Sequence, residues 1–397
     1  MKHLSQATFL FLLLISIGCS DDEQTSETIV LIEAESILTR SSSELQNFME
    51  TSGLDLPIEE IIYDVEVFRV TYTTLHKGEE IVASGLVILP ETDQPVGMLS
   101  FQHGTIAAHN QAPSVLPLSS EELIFYSALA SPGFIAVIPD FIGFGSSTHI
   151  MHPYYVEELT SSVIIDNLKA AKNLADQKDT DFNGKLFLAG YSQGGYATMA
   201  THKAIEEDGL TGFNLVASFP ASGGYDVKGM QETFFSLDTY DEPFYLAYVA
   251  RSYQSTYDWT QPLSDFFQEP YASLIPDLFD GSKSGGEIND ELTNIIADLV
   301  QPTLLSDIDT DSDYNFIVTA FEENSLLDWT PQKPMYMYHG TEDITVFYQN
   351  SIDTYNKLIS NGASELIVTF TPLPAATHGS GVGPYIEDFI PKLLDLR

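Results

Sequence analysis

Apolar residues in this chain fall into short runs at regular intervals, and the runs are of two kinds. VEVFRVTYTT (65–74) and EIVASGLVILP (80–90) alternate or run apolar around the turn His76-Lys77-Gly78-Glu79, which is hairpin spacing and predicts two antiparallel strands at a sheet edge. GMLSFQ (97–102), FIAVIPD (134–140), the run at 185–190 and NLVASFP (214–220) are short and continuous, the pattern of strands covered on both faces. Between them lie amphipathic stretches: a helix around Glu121 to Ala130, a longer one over 161–177, and a third from Tyr196 that Gly209 is placed to stop. Strands alternating with helices imply βαβ crossovers, so the pattern predicts an α/β fold with a mostly parallel sheet flanked by helices.

The alternation halts at Gly223-Gly224 and resumes with KPMYMYHG (333–340), a helix from Phe347 to Ser360, the strand ELIVTFTPLP (365–374) and a last helix from Tyr385 to Leu396. The intervening acidic segment is rich in aromatic residues, from Phe234 to Trp259. A connection that long must fold into a layer of its own, and it is read as an inserted, mainly helical cap. Its aromatic residues either pack together or line an acyl or aromatic pocket. No internal repeat is present.

Charge narrows the function. The 397 residues carry 16 Lys+Arg against 57 Asp+Glu, a formal net charge of −41, which repels phosphate backbones and excludes nucleic acid as a partner. At the N-terminus, Met1-Lys2-His3 precedes the apolar run Phe9 to Ile17, too short to span a bilayer and typical of a signal peptide. Gly18-Cys19 then resembles the lipobox of bacterial lipoproteins, and Ser20-Asp21-Asp22-Glu23 resembles the acidic export tag behind that cysteine in some surface lipoproteins. The resemblance implies a lipid on Cys19, a membrane partner through that lipid, and a place in the bacterial cell envelope, at the outer membrane. Cys19 is the one cysteine, so intrachain disulfides are impossible. The expected layout is a signal peptide (1–18), a tether and N-terminal segment (19–55), a first core part (56–224), the cap (225–330) and a second core part (331–397).

The stretch LFLAGYSQGGYA (186–197) carries the chemistry. Gly190-Tyr191-Ser192-Gln193-Gly194 fits G-x-S-x-G between a strand and a helix, a sharp turn that projects the serine hydroxyl at the C-terminal edge of the sheet. The helix behind Ser192 aims free N–H groups at an oxyanion forming there, with the Gln193 N–H as one donor. A serine nucleophile needs a base and an orienting acid, in the order Ser, Asp/Glu, His. Asp343 in YHGTEDITV and His378 in PAATHGSG each follow a strand end, on the same edge as Ser192.

GYSQGG, HGTEDITV, THGSG, the strand-end His103-Gly104-Thr105 and PDFIGFGSS (139–147) together resemble the α/β-hydrolase superfamily over about residues 60–397, most of all secretory lipase-like esterases with an inserted lid. The resemblance implies a Ser192–His378–Asp343 triad, a second oxyanion donor at the Thr105 N–H with Gly104 as the alternative, and an acyl-enzyme intermediate without metal or organic cofactor. For the acid, Glu342 stands one position early in the turn and Asp328 precedes the strand, which leaves Asp343. The implied substrate is a small-molecule, glycan or lipid ester. The same fold also hosts carbohydrate deacylases such as acetyl or feruloyl esterases, serine peptidases, and inactive surface binding proteins.

Other features read as structural. His103 and His339 each precede Gly at a strand end and are expected to bond backbone, while His149 and His152 lack a third ligand for a metal. Asp179 to Gly184 copies the front of an EF-hand loop but places Gly190 where its Glu should stand, and Asp307, Asp309, Asp311 and Asp313 lack both Gly and Glu. Asp140 is expected to shape the loop after its strand.

Overall fold

The computed structural model describes residues 30–397, so the expected signal peptide and Cys19 lie outside the described residues. One sheet of nine strands organises them: β1 (Leu31–Arg40), β2 (Val65–His76), β3 (Glu79–Pro90), β4 (Val96–Gln102), β5 (Phe134–Pro139), β6 (Phe182–Tyr191), β7 (Asn214–Ala221), β8 (Met335–Gly340) and β9 (Val368–Leu373). Their spatial order is β1-β2-β3-β5-β4-β6-β7-β8-β9. The pairs from β1 to β5 are antiparallel, and all pairs from β5 through β4 to β9 are parallel. The chain steps from β4 out to β5 on one side and then to β6 on the other, so the strand order reverses at β4. Open α/β sheets bind ligands at such a switch point, outside the C-terminal strand ends.

Two expectations need correction. Residues 31–40, taken with the N-terminal tether, form the edge strand β1, in register with β2 from Leu31 opposite Tyr72 to Arg40 opposite Val65. That strand escapes a period-2 search because irregularities at Leu31/Glu33 and Ser36/Leu38 shift its faces. The 65–90 hairpin is therefore interior, with β1 on its open side.

Helices cover both faces. α1 (Ser42–Thr51), α2 (Glu121–Ala130), α3 (Glu157–Gln177) and α4 (Gln193–Asp208) come first in the chain. Between β7 and β8 stand seven helices: α5 (Val227–Phe235), α6 (Phe244–Thr256), α7 (Tyr271–Leu278), α8 (Gly285–Asn289), α9 (Ile296–Leu299), α10 (Pro302–Asp307) and α11 (Asn315–Glu323). α12 (Tyr348–Ser360) and α13 (Val382–Leu396) complete the layers. On one face Leu45, Leu123, Tyr385 and Phe389 from α1, α2 and α13 pack on the sheet; on the other, Val163, Ile164 and Ala197 from α3 and α4 do so. The inserted helices bury a core of their own around Phe234, Ala247, Ile275, Leu299 and Ile317.

Buried polar groups tie the loops to this frame. Asp140, just past β5, accepts hydrogen bonds from the Ser84 hydroxyl (2.6 Å), the Ser114 hydroxyl (2.5 Å) and the Ser114 N–H (2.8 Å), while burial pushes its carboxyl up. Glu206 on α4 accepts the N–H groups of Gln332 (2.9 Å) and Lys333 (2.6 Å), anchoring the chain as it enters β8.

Candidate active site

β6 ends at Tyr191 and α4 begins at Gln193, leaving a single residue to make the turn. Ser192 makes it with φ +60° and ψ −123°, a conformation that costs of order 1–3 kcal/mol and persists only where its surroundings enforce it. They do so by contact. A Cβ at Gly190 would overlap the Gly194 carbonyl, one at Gly194 would overlap the Gln102 carbonyl, and one at Gly195 would overlap that of Ala221. The Ser192 N–H is also held, 2.9 Å from the Ala221 oxygen.

Three side chains from three different loops meet here. His378, between β9 and α13, has its Nε2 2.9 Å from Ser192 Oγ and its Nδ1 2.7 Å from Asp343 Oδ2. A carboxylate only accepts, so Nδ1 carries the hydrogen and Nε2 is free to accept from the serine hydroxyl. Tyr191 steadies the imidazole from below by donating its hydroxyl to the His378 carbonyl at 2.7 Å. Asp343 follows β8 and takes the N–H groups of Thr345 and Val346 on Oδ1, each at 3.0 Å. Burial works to raise its carboxyl, but hydrogen bonds from His339 and His378 outweigh that and hold it below the usual carboxylate range. Glu342 points to solvent, and Asp328 is exposed and pairs with Lys357 at 3.2 Å.

The loop after β4 lies over the serine: a Cβ on Gly104 would sit 3.8 Å from that of Ser192. His103 Nδ1 donates to the Gly104 carbonyl at 2.7 Å, which fixes the peptide whose other end is the Thr105 N–H. Among the described residues, neither that N–H nor the Gln193 N–H has a hydrogen-bond partner. The two therefore remain free for an oxyanion. The Thr105 hydroxyl bonds the Tyr154 hydroxyl at 2.9 Å.

His152 does more than its i, i+3 spacing with His149 reveals. Its Nδ1 donates to the Ile142 carbonyl (2.6 Å) and its Nε2 accepts from the Gln193 side-chain amide (2.7 Å), while burial pushes its pKa down to about 3. It is a neutral brace for the first residue of α4. Among the described residues, no three His, Cys, Asp or Glu side chains converge as a metal site requires.

From Ser192 a cavity of about 120 Å³ extends into the inserted helices. Tyr154, Tyr155, Thr345 and Val346 border it near the serine, and Ala250, Trp259, Leu304, Ile308 and Ile317 line it within the insertion. The wall is almost wholly apolar. Tyr245 belongs to it, whereas Phe244 packs behind on the Tyr245 ring at 4.1 Å. Tyr154 and Tyr155 had no sequence signal beyond an ordinary Tyr-Tyr pair ahead of a helix.

This arrangement has known counterparts. The model of the secretory lipase family matches residues 111–207. A provisionally assigned hydrolase of Legionella pneumophila is 26% identical over 92% of this chain and 98% of its own, with a TM-score of 0.82. The rice cell wall degrading esterase LipA of Xanthomonas oryzae is also 26% identical, over 92% of this chain and 97% of its own, with a TM-score of 0.80. Candida antarctica lipase A, 16% identical over 92% of this chain and 82% of its own, shares the fold at a TM-score of 0.68. No protein of curated function matches the sequence. The fold is that of the α/β-hydrolases. Within it, the chain is a hydrolase of the esterase and lipase type.

Proposed function

We propose that the protein is a serine carboxylic-ester hydrolase whose nucleophile is Ser192, whose base is His378 and whose orienting acid is Asp343. The Ser192 proton passes to His378 Nε2 as Oγ attacks the ester carbonyl, and the carbonyl electron pair moves onto oxygen. That oxyanion is received by the N–H groups of Gln193 and Thr105. Collapse expels the alcohol, which takes the proton from His378; water then repeats the sequence on the acyl-enzyme, releasing the acid and restoring Ser192. Asp343 keeps the imidazole in the tautomer this requires and stabilises the imidazolium. The ion's charge is met inside a site that needs neither metal nor organic cofactor.

One observation carries the reading: a continuous chain of hydrogen bonds, Ser192–His378–Asp343, at the mouth of an apolar cavity. An apolar wall suits an acyl chain and disfavours a peptide or sugar on that side. The test is Ser192→Ala, expected to lower ester turnover by about 10⁴-fold or more, with a fluorophosphonate labelling wild type at Ser192. Wild-type turnover in the variant, or a label on Ser222 or Ser380, refutes it.

A second reading, deacylation of a cell-wall glycan, is favoured by the likeness to the esterase of Xanthomonas oryzae. Acetylated xylan assayed beside a series of simple esters and a peptide amide decides between them. We further propose that the segment 225–330 acts as the cap of this site, and that a lipid on Cys19 holds the mature chain at the bacterial outer membrane.

A further inference from the structure

Beside the acid stands a second imidazole that the reaction above does not use. His339, near the end of β8, is fully buried, with Nε2 2.8 Å from the Val346 carbonyl and 3.1 Å from Asp343 Oδ2. Both neighbours only accept, so Nε2 carries the hydrogen. Nδ1 lies 2.6 Å from Ser351 Oγ on α12, so both ring nitrogens are hydrogen-bonded. Val346 is thereby held at both ends, its N–H on Asp343 Oδ1 and its carbonyl on His339. Oδ2 accepts from His378 Nδ1 and lies 3.1 Å from His339 Nε2, whose N–H it shares with the Val346 carbonyl.

We propose that His339 is a positioning residue for the hydrolysis: through Asp343 it fixes the carboxylate against His378 and draws off part of the charge that Oδ2 presents to the imidazolium. The inference rests on the triad reading above. It separates His339 from a packing residue in two ways. Without its N–H the turn 343–346 loses the clasp on Val346, so the carboxylate samples orientations that do not serve His378. In the fraction that stays aligned, Oδ2 has one donor fewer, its charge concentrates on His378, and the imidazolium is held more tightly. The acidic limb of the kcat/KM profile therefore moves to higher pH.

Few other groups could confuse that readout. Asp343 lies in the same turn; from α12 the Tyr348 ring stands 5.8 Å from the imidazole; His378 faces it across the carboxylate from the loop after β9. From β9 the residue in register with His339 is Pro372.

The experiment uses the full chain, with rates referred to sites titrated by fluorophosphonate so that unfolded protein does not count. His339→Phe removes both bonds, His339→Gln keeps an amide N–H able to reach Asp343 and Val346, and Ser351→Ala releases Nδ1 alone. We expect His339→Phe to lower kcat by about 10- to 100-fold, the range for partners that orient a functional group from behind. KM should stay within about twofold, since no substrate contact is lost. The acidic limb should move up, and His339→Gln should recover most of both losses. Ser351→Ala should shift the limb in the same direction by less, and it carries the test if His339→Phe does not fold. A rate per titrated site and a limb indistinguishable from wild type in His339→Phe, or in Ser351→Ala where that variant stands in, overturn the proposal. So does His339→Gln as impaired as His339→Phe. Asp343→Asn is the control: activity retained there refutes the triad itself, whereas an inactive Asp343→Asn beside an unaffected His339→Phe refutes the role of His339 alone.

Discussion

If the cavity behind Ser192 receives the acyl chain, lengthening that chain should be rewarded at a calculable rate. Each methylene moved from water to an apolar wall is worth about 0.8 kcal/mol, or about fourfold in kcat/KM if the contact persists in the transition state. Four methylenes, from butyrate to octanoate, amount to about 3.2 kcal/mol, or about 200-fold as an upper bound. The perturbation that tests the geometry is Ala250→Phe, because Ala250 lines the cavity from α6, an element apart from those that carry Ser192, His378 and Asp343. A ring there fills the inner space while the serine end stays open. The assay is kcat/KM on p-nitrophenyl esters from acetate to palmitate for both proteins. Wild type should climb steeply and then level where the cavity ends. Ala250→Phe should level several carbons earlier, with acetate and butyrate turnover within about threefold, since volume added at a well-packed wall costs about 1–3 kcal/mol locally and leaves the reacting atoms alone. A flat wild-type profile, or two superimposable profiles, would show that the acyl chain lies elsewhere.

Three further outcomes follow from described contacts. Asp343→Asn should cut kcat by about 10³- to 10⁴-fold by favouring the wrong imidazole tautomer, while the exposed Glu342→Gln stays within about tenfold; steady-state kinetics of the pair decides which residue is the acid. Glu206 is pushed up by burial but brought below its ordinary range by His202 and the two backbone donors. Its stabilisation is therefore present above the unfolded carboxyl pKa and lost as pH falls through the lower folded one, so calorimetry should find Glu206→Gln melting about 1–3 °C below wild type at pH 7, with the gap closing in acid. Metabolic labelling with a palmitate analogue should tag wild type and spare Cys19→Ser; soluble wild type with residue 19 unmodified refutes the anchor.

Much of the frame was legible because the parallel strands are buried on both faces and so appear as unbroken apolar runs, from 97–102 through 214–220. The turn at Ser192 was legible for a different reason, since backbone crowding at 190 and 194 leaves glycine as the one residue that fits. β1 was hidden because an edge strand has one open side and tolerates Glu33 and Glu35, and its two bulges scramble the alternation. His339 was visible as a strand-end histidine, but its partners are Val346, Ser351 and Asp343, and only the folding of the turn against α12 brings them to one ring. The cavity was hidden in the same way. Aromatic richness marked the inserted segment, yet which rings turn inward, Tyr245, and which turn away, Phe244, depends on helix rotation within that layer.

The insertion leaves the sheet after β7 and rejoins it at β8, and these strands are parallel neighbours, Ser218 beside Met335 and Ala221 beside Tyr338. The excursion leaves at the C-terminal edge of the sheet, past Ala221, and returns at the opposite edge, where Met335 enters beside Ser218, so an exchange that keeps this crossover would leave in place the strands that carry Ser192 and Asp343. If the insertion sets substrate preference, as proposed, preference and reactivity would be separable traits of one gene. Tyr240 reaches out of the insertion to donate its hydroxyl to the Thr345 carbonyl at 2.8 Å, in the very turn whose N–H groups grip Asp343. An exchanged insertion lacking that tyrosine would loosen the turn that holds the acid, whatever it did to substrate preference.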